Sequence, residues 1–160
     1  MSELNFTGLF IYSGFVEPLL DKNIYNLISY AKLKLSKARI EIISNGDVLN
    51  SKRLKKLYES GLDRIQISLY DGEEQHLEFV ELGKSLNLTS NQYVLRPRYL
   101  PEEKNFGITL SNRGGMMENA EFKIPARKTT LDKTCFYPSY KFFVDYNGDV
   151  LMCSHDWLKK

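Results

Sequence analysis

The sequence has few cysteines and no long apolar run. Only two of its 160 residues are cysteine, which is too few for the disulfide framework of a small secreted domain. No apolar run approaches the roughly 18–20 residues that cross a bilayer. The N-terminus lacks the basic segment and the small-residue cleavage site of a signal peptide. We therefore expect a cytoplasmic protein with no membrane partner.

An excess of charge of one sign is also absent. The chain has 22 Lys and Arg against 20 Asp and Glu, a net charge of +2, which argues against a nucleic-acid partner. It contains neither a phosphate-binding Walker loop nor a GxGxxG motif, so a nucleotide-binding α/β protein is the least favoured functional class. The apolar share of 42% and the charged share of 26% are typical of a globular domain.

Strand and helix patterns alternate through the first 110 residues. Apolar runs at 9–12, 39–44 and 64–69 predict strands, Pro97 weakens a fourth at 93–98, and a short fifth is predicted at 107–110. Apolar residues at helical spacing follow predicted caps at Asp21 and Ser51, and a third helix is predicted over 73–86. Alternation of this kind predicts an α/β fold with a parallel sheet.

Polar residues recur where these strands end. A parallel sheet places its ligand sites at the carboxyl ends of its strands. Each polar residue alone is typical of an ordinary turn, but the series favours one shared site. It comprises Gly14 and Glu17, Ser44 and Asn45, Ser68 to Asp71, and Asn112 with Arg113.

The pattern changes after residue 110. The stretch 111–134 has two glycines, one proline and little periodicity, which predicts a linker or long loop. The runs 140–145 and 149–153 then flank Tyr146-Asn147-Gly148, and Asn-Gly between such runs predicts a β-hairpin. Cys135 precedes this hairpin, and Cys153 lies on its second strand.

Two regions together resemble a known family. IYSGFVEPLL, IEIISNGDVL and GLDRIQISLYDG resemble strands two to four of the radical S-adenosylmethionine (radical SAM) core, a partial (βα)6 barrel. Cys135, Gly148 and Cys153 resemble the opening of a SPASM domain, a module that holds auxiliary iron–sulfur clusters. The resemblance implies a truncated partial barrel over 1–112, a linker over 113–134 and the start of a SPASM-type domain over 135–160.

The same resemblance implies cofactors and ligands. Glu17 and the backbone near Gly14 would hold the methionyl ammonium group of SAM, and Ser68 would contact SAM. Ser44 and Asn45 would face SAM or the substrate. Cys135 and Cys153 would be two ligands of an auxiliary [4Fe–4S] cluster, in an enzyme that modifies a peptide, a sugar or another small molecule.

The sequence lacks the cysteines that radical SAM enzymes need for activity. Radical SAM enzymes bind their catalytic cluster through a CxxxCxxC motif, but no cysteine precedes Cys135 and none follows Cys153. We therefore expect a fragment or a split half that lacks catalytic residues and is inactive alone, with a partner chain completing the barrel. The alternative is a non-catalytic binding module. The apolar run 9–12 has no Lys or Pro to protect an open edge, so the isolated chain is expected to aggregate or to need a partner.

Several residues leave more than one interpretation open. The cysteines could bind zinc together with His155 and Asp156, or they could be two buried thiols. Arg96 and Arg98 share one face of a strand, and they and Arg113 could bind an anion or lie on a solvated face. His76 is expected to be solvated on its helix, and Trp157 is expected to pack on the hairpin.

Overall fold

The computed structural model describes residues 5–107, 134–151 and 153. The chain divides into two compact units, Met1–Ile108 and Thr109–Lys160. Asn112, Arg113, the stretch up to residue 133, His155, Asp156 and Trp157 lie outside the described residues.

The first unit is a parallel sheet with helices between its strands. Its strands are β1 (Leu9–Tyr12), β2 (Arg39–Ser44), β3 (Arg64–Leu69) and β4 (Tyr93–Pro97). Its helices are α1 (Ile24–Lys34), α2 (Ser51–Glu59) and α3 (Glu73–Ser85), with 3₁₀ helices at Pro18–Leu20 and Glu102–Gly107. The four strands are parallel in the order β1-β2-β3-β4. The predicted alternation and the parallel sheet are thus confirmed.

Some predicted element ends differ from the observed ones. Asn23, not Asp21, occupies the cap position of α1, and the Asp21 carboxylate accepts from the Asn23 N–H at 2.8 Å. Asn50, one residue before the predicted Ser51, caps α2 by accepting from the Arg53 N–H at 2.9 Å. Gly107 ends a 3₁₀ helix instead of starting a fifth strand, and 108–110 lie outside the described residues.

None of the helices in the described ranges combines the length and the apolarity that crossing a membrane requires.

One side of the sheet is aliphatic and packs against the helices. Ile40 and Ile42 of β2 and Ile65 and Ile67 of β3 are each 0% exposed. They belong to a core cluster whose helical members are Leu19, Ile24, Ile28, Ala31, Leu54, Leu57 and Phe79. Each helix therefore contributes its apolar residues to this one core.

The opposite side carries a buried charged cluster that the sequence did not predict. Glu41 is only 1% exposed, and its two oxygens are bound by Arg39 Nε at 2.9 Å and by Gln66 Nε2 at 2.9 Å. Arg64 approaches the same carboxylate at 3.6 Å. A buried carboxylate is costly unless it is paired, so these partners make Glu41 tolerable in the interior.

The second unit contains a short helix, α4 (Tyr137–Tyr140), followed by β5 (Phe143–Val144) and β6 (Val150–Leu151). The two strands are antiparallel, which confirms the predicted hairpin in a shorter form. Asp145 orders the turn, because its carboxylate accepts from the N–H groups of Asn147 and Asp149 at 2.8 and 3.0 Å. Tyr140 ends α4 instead of starting a strand, and the first turn of this helix contains Pro138.

The core makes a quantitative prediction. Leu57→Ala is expected to lower the free energy of unfolding by about 2–5 kcal/mol, because Leu57 is 1% exposed and its loss leaves a cavity. Leu33 lies on α1 and is 76% exposed, so Leu33→Ala is expected to change the free energy of unfolding by less than about 0.5 kcal/mol. Urea unfolding of both variants measures the difference, and equal effects would contradict this core assignment.

Candidate functional site

Glu17 is the centre of a hydrogen-bond network at the carboxyl edge of the sheet, the edge at which the parallel strands end. It follows β1 and caps the 3₁₀ helix Pro18–Leu20, with its Oε1 accepting from the Leu19 N–H at 2.9 Å. The same oxygen accepts from Ser44 Oγ at 2.8 Å, and Oε2 accepts from the Asn45 N–H at 2.9 Å. One carboxylate therefore ties the loop after β1 to the end of β2.

The turn after β2 owes its shape to Gly46. Its φ of +83° is in the left-handed region, and an added Cβ would lie 2.7 Å from the Phe79 ring and 2.9 Å from Ile67. Glycine is thus required here because other residues disfavour this φ and because a side chain would clash with Phe79 and Ile67. The Gly46 N–H donates to Ser44 Oγ at 2.9 Å, which holds the serine hydroxyl between the turn and Glu17.

Gly14 lies in the exposed loop between β1 and Glu17. Its φ of 124° is also in the range that favours glycine. This conformation turns the chain directly after β1, within three residues of Glu17. Both predicted residues of this loop are therefore at the carboxyl edge.

Ser68 and Arg96 form a second pair at the same edge. They are in register across β3 and β4, so their side chains lie on the same side of the sheet. Ser68 is 8% exposed, whereas Arg96 is exposed and has no hydrogen bond or ion pair with the described residues. Arg98 differs, because its guanidinium donates to the Gly107 carbonyl oxygen.

The predicted residues thus form two groups at one edge. Ser44 is in register with Ile67, on the aliphatic side of the sheet, while Ser68 lies on the opposite side. Glu17, Ser44 and Asn45 are joined by hydrogen bonds, and Ser68 is not part of that network.

A third cluster, which joins α3 to the chain after β4, has no signal in the sequence. Tyr99 Oη donates to Glu73 Oε2 at 2.7 Å and lies 3.0 Å from His76 Nδ1. The hydrogen bond to Glu73 raises the pKa of the Tyr99 hydroxyl. His76, expected to be solvated, is therefore held by a partner 23 residues away, and no local pattern signals that contact.

The two cysteines lie in the second unit. Cys135 is exposed, Cys153 is half-buried, and neither forms a disulfide. Among residues 5–107, 134–151 and 153, no group of three or more His, Cys, Asp or Glu side chains is arranged to hold a metal ion. An iron–sulfur cluster normally takes four thiolates, so these residues do not complete such a site.

Comparisons with known proteins find a curated enzyme to which this chain is similar. No protein-family model matches the chain. It is 30% identical over 160 residues to the S-adenosyl-L-methionine-dependent 2-deoxy-scyllo-inosamine dehydrogenase of Niallia circulans, of which it covers 59%.

Two solved structures are similar as well. The structure of BtrN in complex with AdoMet and 2-DOIA matches with a TM-score of 0.70 and 26% identity, over 99% of this chain and 58% of BtrN. BtrN in an open conformation matches in fold, with a TM-score of 0.61, 22% identity and 54% of that chain covered. The chain therefore spans less than two thirds of the proteins that it matches.

The Glu17 network can be tested directly. Glu17→Gln is expected to cost about 1–3 kcal/mol of unfolding free energy, because the amide nitrogen cannot accept from a backbone N–H and leaves a donor unpaired. Glu59→Gln, which changes an exposed carboxylate of α2 in the same way, is the matched control. Urea unfolding of both variants provides the comparison. An unchanged urea midpoint for Glu17→Gln would contradict a stabilising role of the Glu17 network.

Proposed function

Because the chain is homologous to BtrN, a radical SAM dehydrogenase, we propose that the carboxyl edge of its sheet binds S-adenosylmethionine as part of a radical SAM enzyme. The structure of BtrN with AdoMet supports the ligand class. The name of the Niallia circulans relative supports oxidation of a hydroxyl group as the reaction of the whole enzyme, with a small molecule as its substrate.

This proposal rests on the exposure of Arg96 and on its lack of a partner among the described residues. A guanidinium that is exposed, has no partner among the described residues and lies beside Ser68 is suited to binding a carboxylate through two hydrogen bonds. SAM carries such a carboxylate on its methionyl end. Arg98 is less suited, because the Gly107 carbonyl already occupies it.

The Glu17 network supplies the other half of the proposed methionyl site. Its carboxylate already accepts three hydrogen bonds, so its main effect is to fix the loop that contains Gly14. Backbone carbonyls of that loop, together with the negative charge of Glu17, would attract the methionyl ammonium group. Glu17 then both positions the loop and contributes charge, with Ser44 and Asn45 as positioning residues.

The chain's own residues bind and orient SAM in this proposal. In a radical SAM enzyme that holds a reduced [4Fe–4S] cluster, bound SAM would supply the 5′-deoxyadenosyl radical. The only two thiols of the sequence, Cys135 and Cys153, do not provide the cysteines of such a cluster. We therefore assign SAM binding, but not SAM cleavage, to this chain alone.

The assignment of Arg96 predicts a selective loss of affinity. Arg96→Gln is expected to weaken SAM binding about tenfold or more, since a hydrogen bond to a charged group contributes ~1.5–3 kcal/mol. Lys37→Gln removes the same charge next to the amino end of β2 and should leave the affinity unchanged. Isothermal titration calorimetry of the full chain measures both variants.

Decarboxylated SAM distinguishes a direct contact from an indirect one. It lacks the carboxylate, so Arg96→Gln should no longer affect its binding if Arg96 contacts that group. An equal loss for both ligands would contradict the contact. Tight binding of ATP or NAD without affinity for SAM would contradict the proposed function and favour a nucleotide-binding protein.

The missing cluster cysteines predict that the isolated chain does not cleave SAM. After anaerobic reconstitution with iron, sulfide and a reductant, it should release no 5′-deoxyadenosine, which mass spectrometry detects. BtrN treated in parallel is the positive control. Release of 5′-deoxyadenosine by this chain above the level of a Cys135→Ser, Cys153→Ser variant would contradict the prediction.

A further inference from the structure

Tyr70 is an exposed tyrosine at the carboxyl edge of the sheet. It directly follows β3 and is 56% exposed. Most of the other tyrosines use their side chain within the fold, through a hydrogen bond, a neighbouring ring or a lysine. The ring and the hydroxyl of Tyr70 have no such partner among the described residues. An aromatic side chain at this edge is therefore available for a ligand.

The backbone of Tyr70, unlike its side chain, is held in place by α3. Gln75 Oε1 accepts from the N–H groups of Tyr70 and Asp71 at 2.9 and 3.2 Å. Gln75 Nε2 also donates to the Asp71 carboxylate at 3.0 Å, which ties the loop between β3 and α3 to the first turn of the helix. A tyrosine on a fixed backbone has only two side-chain torsions to order, so binding a ligand costs it little conformational entropy.

Tyr70 lies on the side of the sheet that carries Ser68 and Arg96. Leu69, the residue before it, is 0% exposed and belongs to the aliphatic core on the other side. The pairing of β3 with β4 continues at this point, because the Arg98 N–H donates to the Leu69 carbonyl at 2.7 Å. Side chains alternate between the two sides along a strand. The Tyr70 ring therefore follows Ser68 on the side of the proposed SAM site.

The chemistry of the ring selects the part of SAM that it can contact. A tyrosine ring stacks on a nucleobase without any particular pattern of hydrogen bonds, and adenine is the one planar aromatic group of SAM. The sulfonium is the competing group, since a ligand cation can also lie over a tyrosine face. A sulfonium on this side would be repelled by the Arg96 guanidinium, whereas adenine is neutral. The charge of Arg96 therefore favours adenine.

We propose that Tyr70 is a stacking platform for the adenine ring of SAM. This inference rests on the proposed function, because it takes SAM as the ligand of the carboxyl edge. Arg96 binds the methionyl carboxylate at one end of the ligand, and the Tyr70 ring covers adenine at the other end. Gln75 is a positioning residue that holds the Tyr70 backbone. Tyr70 thereby selects adenosyl compounds over amino acids that lack a nucleobase.

Variants of Tyr70 test the stacking. Tyr70→Ala is expected to weaken SAM binding by the full chain about fivefold or more, because it removes the ring on which the base stacks. Tyr70→Phe should keep the affinity within about twofold of the wild type, since it retains the ring. Tyr30→Ala removes a 62% exposed ring from α1 and should leave the affinity unchanged. Isothermal titration calorimetry measures all three, and circular dichroism should confirm unchanged helix content.

Two partial ligands identify the group that Tyr70 contacts. 5′-Methylthioadenosine contains adenine but neither the sulfonium nor the methionyl end, whereas S-methylmethionine contains both of these and no adenine. Tyr70→Ala should weaken binding of 5′-methylthioadenosine by the same factor as binding of SAM, and leave binding of S-methylmethionine unchanged. Arg96→Gln should show the opposite pattern, because only S-methylmethionine carries the carboxylate. Ligand-observed NMR titration measures these affinities.

The possible outcomes separate this inference from the proposed function. If the wild type and Tyr70→Ala bind SAM equally, the stacking assignment is wrong while the SAM site stands. An equal loss for Tyr70→Ala and Tyr70→Phe would overturn stacking and assign the contact to the hydroxyl. A loss confined to S-methylmethionine would overturn it in favour of the sulfonium. Absence of SAM binding by the wild type would contradict the proposed function and this inference together.

Discussion

Burial of one aliphatic side of the parallel sheet is the constraint on which the rest of the structure depends. Ile40, Ile42, Ile65 and Ile67 are inaccessible to solvent, and each such side chain contributes ~1.5–3 kcal/mol when fully buried. A slip of one residue in strand register would move these side chains to the side that carries Glu41. The register is therefore fixed, and with it the position of every residue at the carboxyl edge.

The fixed register allows one carboxylate to organise two loops. Glu17 receives donors from its own 3₁₀ helix and from the end of β2, so the segments after β1 and β2 are held as a unit. The opposite side of the sheet holds Ser68 beside Arg96, away from that network. The proposed SAM site thus combines a loop held by Glu17 with an arginine that has no hydrogen-bond partner in the part of the chain that the structure describes.

The charged side of the sheet and the open edge at β1 differ in how their polar groups are satisfied. Glu41 is buried, but Arg39 and Gln66 bind its two oxygens, which offsets the cost of removing it from water. Arg64 Nε and Gln66 Oε1 are buried in this cluster without a hydrogen-bond partner among the described residues, so the cluster satisfies the Glu41 carboxylate but not every polar atom around it. The outer edge of β1 has no neighbouring strand within the described ranges, and of the lysines in and around α1, only Lys32 has an acidic partner among the described residues, Asp63.

The sequence by itself determined the bounds of β1, β2 and β3, their parallel arrangement and the Asn147-Gly148 hairpin, because apolar periodicity and turn residues act over a few neighbouring positions. It also placed Glu17, Ser44 and Ser68 at strand ends. Only the tertiary structure decided that Glu17 binds donors 27 and 28 residues away and that His76 meets Tyr99. It also decided that Arg98 donates to the Gly107 carbonyl, whereas Arg96 has no partner among the described residues. Those contacts depend on strand register and on the packing of helices against the sheet, which no local sequence pattern encodes.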